Sequence, residues 1–434
     1  TWTRGPLKGS GDWSHLYGHA DNSAFVGEQL AGVRKSSDLA VQWVGRPGPR
    51  YQPDRNGRKP SPLSTAGRLF LQGLHRVIAV DAFNGSILWS LEIPDLERFN
   101  MPRDCGNWCA DRDFLYIAIR DRLWQIDVRN GKVVKQWPVP EPQGRSGPWD
   151  WGYIARTEDR IIGTAVRRAT SWTNYWGGAG AGWYDARSGE VTHKVCSDAL
   201  FSIDRKTGKV TWQYSNGVVL NTTLTIKGDK IYFVECRHEA VIGAPERRVG
   251  RPELWKKMFL VAMDANSGSM LWERPLELPP GKVVFSMAHS GDKLIIAGSA
   301  DGKYNVHSFK TANGEAGWTR SFGWPGGKGD HGKAMSRPAI VGGKVYLRPH
   351  VLSLADGTNA GPQMPGGGCG TYACSAGALF FRAGTVTVWN QQDGKTSTWK
   401  RLRPDCWLST IPASGMLLSP EGGGGCSCGT WMET

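Results

Sequence analysis

The chain contains no apolar run of eighteen residues, which excludes a membrane-spanning helix. It has no Cys-x-x-Cys pair, which argues against a structural zinc centre, and no Cys-x-x-Cys-His, which excludes attachment of a c-type haem to this segment. No block of five or more like charges occurs. The formal net charge of +14 is therefore spread along the chain. Basic helices, zinc-finger spacing and RNA-binding signatures are also missing, so nucleic acid is not an expected partner. No amino-terminal signal peptide is expected within this sequence, which begins at Thr1 and reads as a mature or trimmed product. The excess charge has two readings. Lys and Arg on exposed strand edges discourage edge pairing, or they attract an anionic partner such as an acidic glycan or lipid headgroup.

Cysteine is present, at 105, 109, 196, 236, 369, 374, 406, 426 and 428. Nine is odd, and five lie in the last 66 residues. The expectation is an exported protein, periplasmic or extracellular, with disulfides and at least one thiol left over. A thiolate site for a soft metal such as copper is the alternative for the carboxy-terminal cluster.

Glycine and tryptophan are abundant, at 57 and 21 of 434 residues. Their placement is periodic. Ile78 to Trp89 reads as a β-hairpin: Ile78 and Val80 alternate with small neighbours, Asp81 to Gly85 supplies a turn, and Trp89 follows on the return strand. Phe201 to Trp212 and Val261 to Trp272 repeat it at the same spacing. Looser copies are Gln125 to Trp137, Ser308 to Trp318, Leu352 to Thr358 and Val388 to Trp399. Each is preceded by an apolar strand after a turn, such as Gly67-Arg-Leu-Phe-Leu or Gly228-Asp-Lys-Ile-Tyr. A hairpin unit recurring roughly every fifty residues means a propeller or an array, and four strands per unit make one blade.

The signature Ala-x-Asp-x-x-x-Gly-x-x-x-Trp, at Ala79 to Trp89 and Ala262 to Trp272, resembles the tryptophan-docking repeats of pyrroloquinoline quinone (PQQ)-type eight-bladed propellers. The chain is also similar to a bacterial group of PQQ-binding-like propeller repeat proteins without an assigned activity. Trp43-Val-Gly-Arg-Pro-Gly-Pro49, Asn100 to Asp104, Asn174 to Gly177, Asp330-His-Gly332 and Arg403 to Trp407 with Gly425 to Cys428 carry that likeness. The expected fold is an all-β, eight-bladed β-propeller of four-stranded antiparallel blades over residues 39–434, after an irregular arm at 1–38. Leu39 to Trp43 looks like an outer strand without inner strands before it. The last blade, from about 406, shows inner strands without a Trp hairpin after them. The N-terminal strand is thus expected to complete the last blade and close the ring. Two insertions are expected, at about 167–199 in the third blade and 237–257 in the fourth.

The resemblance implies a quinone-type redox cofactor such as PQQ, with calcium, in the axial funnel, and a small-molecule or anionic ligand there. A cytochrome or other fused or partner module belongs to the same implication. Yet the chain has no Cys-Cys dipeptide of the kind that covers the quinone in PQQ enzymes, and no acidic and amide set matches their calcium ligands. The competing expectations are a non-catalytic scaffold for proteins in the cell envelope, or binding or cleavage of an acidic glycan.

Several residues are candidates for the site. Arg103 and Asp104 either brace a loop as an ion pair or present Arg103 to a carboxylate. Asp330 beside His331 can orient a base or metal ligand if both sit in a loop. Tyr175 and Trp176, within the first insertion, can stack a planar ring or plug a core. Lys194 is a nucleophile or cofactor contact if desolvated, and otherwise a solvated lysine. Arg46 to Arg50 either line a funnel mouth or form a Pro-braced turn.

Overall fold

The structure, a computed structural model, describes residues 5–45, 60–73, 75–94, 96, 106–172, 194–325, 335–366, 370–400, 402, 404 and 408–420. Antiparallel sheets follow one another along the chain as blades. Blade 1 comprises Leu63–Thr65, Arg68–Gly73, Arg76–Asp81 and Ile87–Glu92. Blade 2 runs from Trp108–Ala110 to Val133–Pro138, and blade 3 from Trp149–Arg156 to Val210–Tyr214. Blade 4 ends at Met270–Leu276, and blade 5 spans Val284–Ser290 to Ala316–Gly323. Blade 6 has three strands, Ala339–Val341, Lys344–Leu347 and His350–Ser353, and blade 7 runs from Ala373–Cys374 to Thr396–Thr398.

The repeated Asp…Gly…Trp pattern has a direct physical cause. The Asp264 carboxylate accepts from the backbone N–H of Asn266 (3.0 Å) and Ser267 (2.7 Å), which folds the turn. The tryptophan then docks on the next blade rather than its own. Trp89 donates its indole N–H to Val128 O (2.8 Å), Trp212 to Ala265 O (2.9 Å), Trp272 to Thr311 O (3.1 Å) and Trp318 to Leu354 O (3.0 Å). Under each ring lies the turn glycine of that next blade. At Gly131 a Cβ would come within 2.8 Å of the Trp89 ring, and φ is +72°, so only glycine serves. Blade 6 breaks the series: no tryptophan stands between Trp324 and Trp389, and Pro362 covers Gly394 instead.

The blade count corrects the sequence reading. The described residues form seven blades, not eight. Where an eighth was expected, only Ile411–Ala413 and Met416–Leu418 pair among the described residues. Residues 39–45 join no strand. Val41 and Val44 are exposed, at 67% and 58%, so their apolar character buries nothing in a sheet. The signal that mimics a strand is Trp43, whose indole donates to Ala82 O (3.0 Å) and covers Gly85 in blade 1. This segment thus supplies a staple without a ladder.

The N-terminal strand therefore does not close the ring. The 411–418 hairpin meets blade 1 through Ser414 Oγ and Ser64 Oγ, 3.2 Å apart. Residues of the arm bind both sides of this seam: Gly11 O accepts from Ser414 N (2.8 Å), and Trp13 pairs with Ser64.

Among the described residues no disulfide forms. The four described cysteines, Cys109, Cys196, Cys236 and Cys374, are buried free thiols. Burial pushes Cys109 and Cys196 up to about 12 and Cys236 to about 11, so they remain protonated and pack as small apolar groups. The other five cysteines lie outside the described residues.

Candidate functional site

The end of the ring opposite the Asp…Gly turns carries the most elaborate chemistry, on blades 3 and 4. There the two insertions meet. Ser171–Trp172 pairs in parallel with Arg247–Arg248, so one insertion forms a two-residue sheet with the other. A short helix, Glu239–Ile242, and a 3-10 turn, Pro252–Trp255, shape the second insertion. Trp255 packs edge-on against Phe285 of blade 5, with ring centroids 5.1 Å apart.

Beneath this sheet lies a buried ionic network. Asp198 is fully buried, receives Arg247 Nη2 at 2.7 Å, and also pairs with Arg145. Its second oxygen, Oδ2, is buried without a hydrogen-bond partner. Arg247 is itself buried, so a charge from each insertion is neutralised away from water.

Lys194 is the one sequence-predicted site residue that the structure describes. Its ammonium is buried, donates to Trp151 O (2.9 Å) and lies 3.7 Å from Asp150 Oδ2. Burial lowers its pKa from the ordinary lysine value, and the Asp150 charge opposes that. Arg168 Nε donates to the other Asp150 oxygen at 3.2 Å. Lys194 O accepts from Asn221 Nδ2 (2.7 Å), and Asn221 Oδ1 accepts from Ser197 Oγ (2.8 Å). The lysine thus ties the end of the first insertion to blades 3 and 4. Arg103, Asp104, Tyr175, Trp176, Asp330, His331 and Arg46 to Arg50 lie outside the described residues.

Sequence reasoning missed Asn221. It sits in a 3-10 turn, Asn221–Thr223, that splits the innermost strand of blade 4 into Val218–Leu220 and Thr225–Lys227. The split turns Asn221 and Thr222 toward a small axial cavity, which His15, Tyr17, Asn22 and Arg337 also line. Arg337 stacks 3.9 Å over the Tyr17 ring and donates to Thr222 O at 3.1 Å. Free space in the cavity is about 10 Å³, enough for about one water. No spacing rule announces a split strand, and Asn221-Thr-Thr reads as ordinary strand sequence.

A comparison with protein families decides the relationship. The family model described as outer membrane protein assembly factor BamB matches residues 159–401, over half of the chain. The chain belongs to this family of PQQ-type propellers. No curated protein matches the chain. Among solved structures, BamB from Moraxella catarrhalis is similar at 13% identity, covering 76% of this chain and 78% of that one, with a TM-score of 0.45. The quinohemoprotein alcohol dehydrogenase ADHIIG from Pseudomonas putida HK5 is 11% identical over 88% of this chain and 58% of its own, with a TM-score of 0.46. The computationally designed Ika8 protein is 10% identical over 87% of this chain and 98% of its own, at 0.52. At such identities a likeness speaks for the fold alone.

Proposed function

We propose that the protein is a non-catalytic docking propeller of the bacterial cell envelope, receiving a protein partner on the platform that the two insertions build over blades 3 and 4. The pairing of Ser171–Trp172 with Arg247–Arg248, over the buried Asp198 network, carries this reading. Loops on a scaffold are where partners bind, and Ser171–Trp172 and Arg247–Arg248, already fastened to each other, pay little ordering entropy on docking. Membership of a family described as an outer membrane assembly factor agrees with it. No described helix is long and apolar enough to cross a membrane.

The rival expectation is a quinone and calcium at the axis. The described residues do not fit them. The axial cavity has room for about one water, and no group of three or more His, Cys, Asp or Glu able to hold a metal occurs among the described residues. No catalytic step is derived through that cofactor.

The test is a photo-crosslinking amino acid placed at Arg248, on the platform, or at Lys206, in the Asp…Gly turn of blade 3 at the other end. In cells, the Arg248 position should trap a discrete protein adduct and the Lys206 position should not. Equal trapping at both, or a shift in quinone absorbance when the purified protein is titrated with PQQ and calcium, would overturn the reading.

A further inference from the structure

The other end of the axis is filled by the chain's own arm. Residues 11–28 form no strand longer than an isolated bridge. Yet they bind the turning end of the innermost strand in every blade. Trp13 O accepts from Ser64 N (2.9 Å) in blade 1, and Ser14 O from Ala110 N (2.9 Å) in blade 2. His15 Nε2 accepts from Arg156 N (3.3 Å) in blade 3. Ala20 O accepts from Ile226 N (2.8 Å), Asp21 O from His289 N (2.9 Å), Ser23 O from Ile340 N (2.8 Å) and Ala24 O from Cys374 N (2.8 Å), in blades 4 to 7. Gly11 O completes the circuit at Ser414 N of the hairpin.

Side chains add specificity to this circuit. Asn22 Nδ2 donates to Leu224 O (2.8 Å) and Met287 O (3.2 Å), spanning blades 4 and 5. Trp13 is fully buried. The Glu28 carboxylate accepts from the N–H groups of Gly11 (3.0 Å), Leu30 (2.9 Å) and Gly415 (2.9 Å). The tether that follows is loose by contrast: Ala40, Val41 and Gln42 are exposed and lie in no element.

A circle of inner-strand N–H groups, each needing an acceptor, offers what a bound peptide needs, and the arm meets it as a ligand would, carbonyl by carbonyl. We propose that this axial end is a peptide-binding site, filled in cis by residues 11–28, whose ligand is an irregular peptide with a Trp at the position of Trp13 and an Asn at the position of Asn22. The covalent tether gives the arm an effective concentration on the order of millimolar, which keeps other peptides out. The site is independent of the docking platform at the opposite end.

The experiment uses the full chain with a specific protease site inserted between Ala40 and Val41. After cutting, the two pieces should co-elute in gel filtration. A fluorescent peptide of residues 5–38 should then enter the nicked protein, at an occupancy about 100-fold above that in the uncut protein, the scale of a tether advantage. The same peptide carrying Asn22→Ala should compete at least about tenfold less well, as the loss of two or more hydrogen bonds implies. Separation of the pieces on cutting would overturn the proposal. So would failure of the labelled peptide to enter the nicked protein, or entry of a scrambled peptide as readily as the native one.

Discussion

Trp212 donates its indole N–H to Ala265 O and lies over Gly268, where a Cβ would fall 2.5 Å from the ring. One side chain therefore satisfies a hydrogen bond, buries a large apolar surface and joins blade 3 to blade 4. Trp212→Ala removes all three at once. The expected loss is about 3–5 kcal/mol, the range for deleting a buried aromatic, read as a lower midpoint in urea denaturation. The residue scale is also where sequence is most readable. Asp264, Gly268 and Trp272 announce themselves because each meets a separate local demand: a carboxylate for two N–H groups, a positive φ, and a flat ring for the neighbouring turn.

At the scale of elements, the insertions matter most. Their existence is legible, since about 33 residues separate the second strand of blade 3 from its hairpin. Their pairing is not, because a two-residue parallel sheet between Ser171–Trp172 and Arg247–Arg248 has no periodicity to detect. What fixes it is a charge buried beneath. Asp198→Ala would leave the Arg247 guanidinium, 2% exposed, without its carboxylate. Breaking a buried pair in this way costs about 3–5 kcal/mol. The variant should show that loss in denaturation and should expose Arg248 and Arg251 to trypsin, while the wild type resists at both.

For the whole molecule, the arm makes stability depend on pH. His15 is buried among Arg156 of blade 3 and His19 of the arm, with Ser14 Oγ 2.8 Å from its Nδ1. It accepts the Arg156 N–H at Nε2, which only the neutral ring can do. Desolvation chiefly, then the Arg156 and His19 charges, hold its pKa well below 6.5. Below pH 6.5 the unfolded chain binds a proton at this residue that the folded chain does not. Stability is therefore full above 6.5 and falls as the pH drops toward the folded-state value. Urea midpoints between pH 5 and 8 should decline on the acid side, and His15→Gln should flatten that slope. His19 and His289 shift in the same direction and add to it.

The ring as a whole is legible as a propeller, because the hairpin recurs. Its size is not, because Trp43 imitates the end of a blade while its neighbours Val41 and Val44 stay in solvent. The course of the arm is equally hidden. Its bonds run from main-chain carbonyls, which every sequence has, so no residue pattern marks them. Of the candidate site residues, Lys194 alone falls within the described chain, and it braces the first insertion through Trp151 and Asp150.

The change from tryptophan to Pro362 at the sixth blade has a further meaning. Proline carries no ring N–H, so the contact of Pro362 with Gly394 is a van der Waals one, unlike the joints made by Trp89, Trp212, Trp272 and Trp318. Four of the other joints cannot part without sacrificing an indole hydrogen bond. This circle has a clasp.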